Sequence, residues 1–434
     1  MLAAEVPSPF KGLLKSFNGI LSKPQQRNLA SLVLGFIAAE GEKNVKGMAN
    51  SLVPYRNQSS LNRFITDAKW DYRALNYRRL RLVEKELGLS DNSNSSDKQC
   101  YFIVDDTTVE KYGGEVVGYH HDSKHGLIRG HCYVTGLCVC SSNSKSNSNG
   151  RYDDDAWYPT DLKLYMPAGS SPFSKERLFR SKIDLACELI DEFSPPGAGK
   201  EDEEGVMVSF DEWYFCSEVV KHAEGRGFQW TSEAKSNRII LYQDERLHVG
   251  ELADIMKPFF RDVEVDGELY QCCDLQVYMP RIGKVRLVFN CKADTKDMHN
   301  MCTSITNESE PFTANIVKRS LKRSEIESFY WDVKNVIGFG EYRFRESEAA
   351  IVHSHLVFLV YTLLQILKKR MESRDEERRE VMMKGKGKRC SIGEACAWLR
   401  DRCLLSFCIW IKDKLAAGLD ITKIAGMIRP QICK

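Results

Sequence analysis

Tyr101-Phe102-Ile103-Val104-Asp105-Asp106-Thr107-Thr108 is an apolar run that stops on two acids. Four large apolar residues in succession, two of them β-branched, read as a buried strand. A second short run far downstream, Val206-Met207-Val208-Ser209-Phe210, stops on Asp211. In an open α/β sheet, ligand-binding groups gather at the carboxyl ends of strands, and both runs end there on acids. Side chains alternate along a strand, so Asp105 and Asp106 point to opposite faces and only one of them enters a given site. Taken singly, each aspartate reads better as a turn or helix-cap residue; the two together, in this order of elements, point to chemistry.

Working outward, Cys100–Asp105, His131–Cys140 and Leu162–Met166 read as three strands. Ser174–Phe193 follows as an amphipathic helix with Leu178, Ile183, Ala186, Leu189 and Ile190 inward, before the strand Val206–Phe210, the helix Ser217–Gly225 and the strand Phe228–Thr231. Three strands, helix, strand, helix, strand is the order of a ribonuclease-H-like core, an α/β fold on a mixed sheet. Between Asn237 and Asn290 lie further β-type runs, with a hairpin signal where Gln276–Met279 and Val285–Phe289 flank Pro280-Arg-Ile-Gly283. They read as a β-rich insertion placed before the last catalytic helix.

The first 95 residues read as helical, with apolar spacing over Gln25–Ala39, Asn44–Val53, Ser59–Ile65 and the arginine-rich Asp71–Leu87. Pro54 separates the two short middle helices. With Lys43, Lys46, Arg56 and Arg63 around the break, this is either a helix-turn-helix DNA binder or a small packing bundle. The polar Asp91–Ser96 marks a boundary, and Ser141–Gly150 is a low-complexity loop. The division expected is 1–95 helical and DNA-binding, 96–236 first part of the core, 237–305 insertion, 306–371 catalytic helix and end of the core, and 372–434 a helical C-terminal segment without an assigned role.

With 434 residues, 43% hydrophobic and 28% charged, the chain is of globular composition and not disordered. A net charge of +2 offers no whole-chain attraction to nucleic acid, but Lys and Arg outnumber acids over Lys43–Lys85 and Lys368–Arg389. Local basic surfaces hold phosphates on a nearly neutral protein; they are also found as plain solvated helix faces. The 15 cysteines include no Cys-x-x-Cys pair, and the first residues carry no secretory pattern. The thiols are expected reduced and buried, in a cytoplasmic protein associated with the nucleoid when on DNA. Ala349–Leu367 imitates a membrane span, but His353, Ser354, His355 and Gln365 interrupt it, so it reads as a buried core helix and no membrane partner is expected.

Lys318–Lys334 reads as one helix. At 100° per residue, Glu327 sits about 40° and Lys334 about 20° around from Arg323, so one acid is flanked by two cations. Alone, such a stripe reads as a solvated pair network. Together with Asp106 and Asp211 it suits a site in which three carboxylates hold two Mg²⁺ or Mn²⁺ ions, since hard cations take oxygen ligands and Arg and Lys neutralise adjacent phosphates.

The acids and the spacing Arg323-x3-Glu327-x6-Lys334 resemble insertion-sequence transposases of the DDE class, in particular the subgroup with a Tyr-x2-Arg-x3-Glu-x6-Lys signature. The likeness runs through Val104-Asp-Asp-Thr107, Phe210-Asp-Glu-Trp-Tyr214, Lys235-Ser-Asn-Arg238 and Ser60-Leu61…Phe64…Trp70-Asp71. By that pattern the first acid precedes Thr, which selects Asp106. Ser320 stands where the signature has Tyr, and Ser324 where Trp often follows the Arg, so one phosphate contact lacks its usual residue. The resemblance implies hydrolysis at a transposon end, attack of the freed 3′-OH on target DNA, terminal inverted repeats as the DNA partner, and at least a dimer when two ends are held. It also implies DNA contacts from Arg323, Lys334, Lys235 and Arg238. Two rivals stay open: a nuclease of the same fold that never joins strands, and a domesticated DNA-binding protein without turnover. His120, His121, His125 and His131 lack accompanying ligand spacing and read as surface or phosphate-contact histidines; Asp153-Asp154-Asp155 reads as a solvated loop. Trp213 and Tyr214 either stack on an unpaired base or cap the core.

Overall fold

The computed structural model describes residues 2–89, 98–115, 117–122, 126–142, 155–167, 179–197, 205–293, 301–308, 312–372 and 390–429. Five helices open the chain: α1 (Ser8–Leu14), α2 (Lys23–Ala38), α3 (Val45–Asn50), α4 (Gln58–Thr66) and α5 (Tyr72–Glu86). Their starts are set by side chains that satisfy otherwise unpaired N–H groups. Asn44 accepts from Gly47 N, Asn57 from Ser59 N and Asp71 from Arg73 N. The break around Pro54 falls between α3 and α4, as the chain reads.

The sheet is built from β1 (Lys98–Glu110), β2 (Gly118–Asp122), β3 (Gly126–Ser142), β4 (Ala156–Tyr165), β5 (Val206–Phe210) and β6 (Gln229–Glu233). Helices α6 (Lys182–Glu192) and α7 (Ser217–Gly225) cross between the later strands. β3 pairs antiparallel with β1 and with β4, while β5 runs parallel to β1 and β6 parallel to β5. The spatial order β4-β3-β1-β5-β6 is consistent with a ribonuclease-H-like fold. Six further strands continue the same sheet: β7 (Ile239–Tyr242), β8 (Glu245–His248), β9 (Arg261–Val265), β10 (Glu268–Met279), β11 (Gly283–Lys292) and β12 (Cys302–Thr306). The join is β12 on β6, antiparallel. The hairpin read at Pro280–Gly283 is the β10–β11 turn, with Met279 opposite Gly283. Helix α8 (Val249–Met256) lies between β8 and β9.

Two local readings need correction. Helix α6 begins at Lys182 and not at Ser174, because Ser181 and Asp184 form a reciprocal capping box that starts it there; Leu178 lies outside the described residues. The single helix read over Lys318–Lys334 is segmented into α9 (Thr313–Leu321), a 3-10 turn at Lys322–Ser324, α10 (Glu325–Asp332) and a π segment at Val333–Ile337. The Ser320 and Ser324 hydroxyls donate to Val317 O and Leu321 O, three residues back, and this competition tightens the chain where an α-helix would otherwise run on. The 100° arithmetic across that stretch therefore does not hold.

The long apolar segment is α11 (Ser347–Glu372), a helix long and apolar enough to cross a membrane whose most apolar stretch is 94% buried inside the fold. Helices α12 (Ile392–Ala416) and α13 (Ile421–Ile428) close the chain. Each face of the sheet carries its own core. Phe102, Val104, Val134 and Val208 pack with Leu185, Ile190 and Val219 of α6 and α7. Tyr101, Ile103, Tyr133 and Met207 pack with Phe36, Ile326, Phe329 and Phe358 from α2, α10 and α11. The N-terminal helices thus share a core with the sheet. Arg79 of α5 is fully buried and donates to Asn76 Oδ1, Pro159 O, Thr160 O and Thr362 Oγ1, tying α5 to β4 and α11.

Candidate active site

β1 and β5 are parallel neighbours in register Val104 with Phe210. One residue further, Asp105 stands beside Asp211. Asp211 directly follows the end of β5, but contrary to the sequence expectation β1 does not stop on its acids, because it stays paired to β3 through Glu110 and so carries Asp105 and Asp106 inside the strand. Asp105 takes the parity of Ile103 and faces α10; Asp106 takes that of Phe102 and Val104 and faces α6. The two aspartates therefore have different neighbours.

On the α10 face, Arg323 lies 3.9 Å from Asp105 Oδ2 and donates to Glu233 Oε1 through Nε at 3.0 Å and Nη2 at 2.7 Å. Tyr330 of α10 shares a 2.6 Å hydrogen bond with Thr135 Oγ1, and Thr135 sits opposite Asp105 on β3, which anchors α10 over the acids of β1. Asp105 is 18% exposed, and its carboxyl is pushed up to about 8 by burial and then by Asp211 and Asp106; Asp106 N–H and Arg323 only partly offset this. The Asp211 carboxyl is likewise raised by burial, against the Tyr214 and Trp213 N–H groups that donate to Oδ1 at 3.0 and 2.9 Å. Asp211 is thus both an acid of the cluster and the cap of the turn that follows β5.

On the α6 face, Asp106 is already partnered. Lys182 Nζ donates to Oδ2 at 2.8 Å, Tyr214 Oη to Oδ1 at 2.8 Å, and Cys132 Sγ lies 3.2 Å from Oδ2. Burial works against the Lys182 ammonium, but Asp106 and Cys132 outweigh it and hold its pKa above the ordinary lysine value.

Glu327 is an exposed residue in the first turn of α10, one turn beyond Arg323. Lys334 Nζ donates to Thr108 O at 3.1 Å, so this cation stands just past the acids on β1. Lys235 lies 3.8 Å from Glu212, and Arg238 donates to Phe215 O while its guanidinium covers the Phe215 ring. Lys46, Arg56 and Arg63 are exposed on α3, α4 and the connection between them. Lys43 is placed differently from its expected role at a phosphate surface. Its ammonium is inside the fold, donates to Phe36 O and Val336 O, and is lowered to about 8 by burial.

The histidines do not converge on one point: His131 bonds Tyr342 Oη and Glu115 O, His120 bonds Gly130 O, His121 is exposed, and His125 lies outside the described residues. Asp155 is paired with Lys322 at 2.6 Å, and Asp153 and Asp154 lie outside the described residues. The two aromatics after Asp211 divide: Tyr214 is buried with its hydroxyl on Asp106, whereas Trp213 is 49% exposed beside Lys182. Lys182 and Glu233 were missed from sequence. Glu233 ends β6 as Asp211 follows β5, and that shared position was the available signal; Lys182 carried none.

A family model described as DDE superfamily endonuclease matches residues 14–149, from the end of α1 through β3. The match supports a DDE-transposase-type family, whose nucleases depend on divalent metal, and it includes Asp105 and Asp106 but neither Asp211 nor Glu327. No curated protein matches the chain. A solved structure of a Drosophila P element transposase strand transfer complex is similar at 12% identity with a TM-score of 0.20, a likeness too slight to define a fold. That alignment covers 57% of this chain and 55% of the P element chain, so this chain spans little more than half of that relative.

Proposed function

We propose that the chain is a DNA transposase of the DDE class, cutting at transposon ends and joining the 3′-OH to target DNA. The observation that carries this reading is the adjacency of Asp105 on β1 and Asp211 just past β5, both raised by burial, with Arg323 3.9 Å from Asp105 in the turn that leads into α10.

The donor set fits divalent cations. Asp105 and Asp211, crowded together and raised by burial with the Arg323 guanidinium 3.9 Å from Asp105, favour a hard cation with oxygen preference. Asp105 or Asp106, Asp211 and Glu327 would hold two Mg²⁺ or Mn²⁺ ions. When bound, such ions supply Lewis acidity at both the attacking and the leaving oxygen of an in-line phosphoryl transfer. The family pattern selects Asp106; position on the α10 face favours Asp105. Parallel Asn variants separate them.

The protein's own groups do the positioning. Arg323 offers a planar fork to a phosphate near the cut, releasing Glu233 as it does so, and Lys334 adds a point charge beyond the acids. Lys235 and Arg238 extend the basic surface along the strands after β6, which serve as the insertion of the fold. Lys46, Arg56 and Arg63 on α3 and α4 contact the terminal inverted repeats. Two ends brought together require a dimer on DNA. The spacing Arg323-x3-Glu327-x6-Lys334 supports reading the protein with the Tyr-x2-Arg-x3-Glu-x6-Lys subgroup, Ser320 replacing the Tyr.

The test is Glu327→Gln. The variant is expected to bind inverted-repeat DNA like wild type and to release no 3′-OH; wild-type cleavage overturns the assignment. One observation favours a second reading without turnover: Lys182 already neutralises Asp106. Cleavage by wild type with Mg²⁺ rejects it, and strand transfer from pre-cut ends separates transposase from nuclease.

A further inference from the structure

Near the start of β1, upstream of the acids, Cys100, Cys138 and Cys140 bring their thiols together. Cys100 pairs directly with Cys140 across β1 and β3, and Cys138 lies two residues along β3 on the same face. Cys138 Sγ is 3.5 Å from Cys100 Sγ and 3.6 Å from Cys140 Sγ, and all three sulfurs lie within 4.8 Å of one another. In a tetrahedral thiolate site with Zn–S near 2.3 Å, neighbouring sulfurs stand ~3.8 Å apart. The measured separations are those of such an edge to within a few tenths of an ångström.

We propose that Cys100, Cys138 and Cys140 bind one Zn²⁺ ion that clamps β1 to β3, at a site separate from the acid cluster. Asp106 is six residues along β1, about 20 Å away for an extended strand. The donor set is soft and contains only sulfur, which selects zinc over the hard cations of an oxygen site. An odd number of thiols cannot be consumed in disulfides among themselves. Cys138 and Cys140 are buried and Cys100 is half-buried, so the fourth position opens on the Cys100 side. Glu84 of α5 is the neighbouring acid, close enough to act on Cys138 and Cys140, and Tyr158 of β4 sits opposite Cys138. As zinc enters, the three thiol protons leave to solvent and each thiolate gives an electron pair to the metal. The usual spacing rule misses this site because its third ligand comes from the adjacent strand.

The full chain, purified under reducing conditions without chelator, is expected to carry one zinc per chain by mass spectrometry of the metal. Cys100→Ser, at the most exposed ligand, and Cys138→Ser are each expected to lower it at least tenfold, while Asp211→Asn leaves it unchanged. Cobalt exchanged into wild type is expected to show near-ultraviolet thiolate-to-cobalt absorption, a readout that needs no variant to fold. The proposal is overturned by wild-type protein that holds no zinc and gives no such band with added cobalt. Zinc retained at wild-type level by both Ser variants overturns it equally.

Discussion

Replacing Asp105 by Asn converts the acid to an isostere of its neutral form. Asn Oδ1 can still accept from Asp106 N–H, as Asp105 Oδ1 does at 2.7 Å. In the folded protein the Asp105 carboxyl is raised from 3.8 to about 8, chiefly by burial and by the charge of Asp211. The native state therefore holds a proton that the unfolded chain has released between those two values, and stability falls as pH rises through that window. Each unit corresponds to ~1.4 kcal/mol, so the four-unit window sets a ceiling of about 6 kcal/mol. Partial exposure and relaxation of the three acids bring the expected figure to roughly 2–4 kcal/mol. Denaturant unfolding without metal is thus expected to show Asp105→Asn more stable than wild type by that amount at pH 8 to 8.5, with the gap closing near pH 4. Saturating Mg²⁺ is expected to raise wild type at pH 8, because a ligand bound to the native state stabilises it by mass action, and to leave the variant little changed. A variant no more stable than wild type at pH 8, or a gap that widens as pH falls, would refute the reasoning.

Arg323→Lys keeps the charge but removes the fork that grips Glu233 through two nitrogens; DNA cleavage is expected to fall about tenfold or more, measured on inverted-repeat substrate, with folding unchanged by circular dichroism. Arg79→Met takes the guanidinium from Pro159 O and Asn76 Oδ1 and leaves Thr160 O with Asn76 Nδ2 alone; unfolding free energy is expected to drop by roughly 3 kcal/mol. Gly130→Ala would set a Cβ 2.0 Å from the Val109 carbonyl oxygen at the β1–β3 pairing, where backbone must move; a loss of about 2–3 kcal/mol is expected, read from the denaturant midpoint.

The strand end before Asp211 was legible because a fully buried strand is a short run with no polar interruption, and its end is marked by the first charge. For β1 that rule stops too early, since Asp105 and Asp106 stay paired with Thr135 and Val134 and the strand runs to Glu110. The crossover helices were legible for the same reason at a different period, and α7 and β5 stand where the chain reads them. Segmentation of the third-acid helix was not, since Ser320 and Ser324 are compatible with an α-helix until their hydroxyls take backbone carbonyls. Nor was the fate of the basic residues. Arg79 and Lys43 look like surface charge in sequence, yet both are spent inside the fold on carbonyl oxygens, a use that only three-dimensional packing discloses.

The choice between Asp105 and Asp106 lies at the limit of what sequence carries. Alternation says that the two differ in face, but which face meets Arg323 and Tyr330 depends on where α10 packs. That is fixed by Ile326 and Phe329 burying against Ile103 and Tyr133, on the side opposite α6. The same alternation that hands Asp105 to Arg323 hands Asp106 to Lys182 and Tyr214. A metal that needs Asp106 must displace Lys182 from it, whereas one held by Asp105 and Asp211 relieves a repulsion already present. If Asp106→Asn abolishes cleavage while Asp105→Asn spares it, Lys182 must move when DNA and metal bind. A Lys182→Met variant would then show tighter apparent Mg²⁺ affinity. If instead Asp105→Asn is the inactive one, Lys182→Met leaves Mg²⁺ affinity unchanged and lowers stability alone.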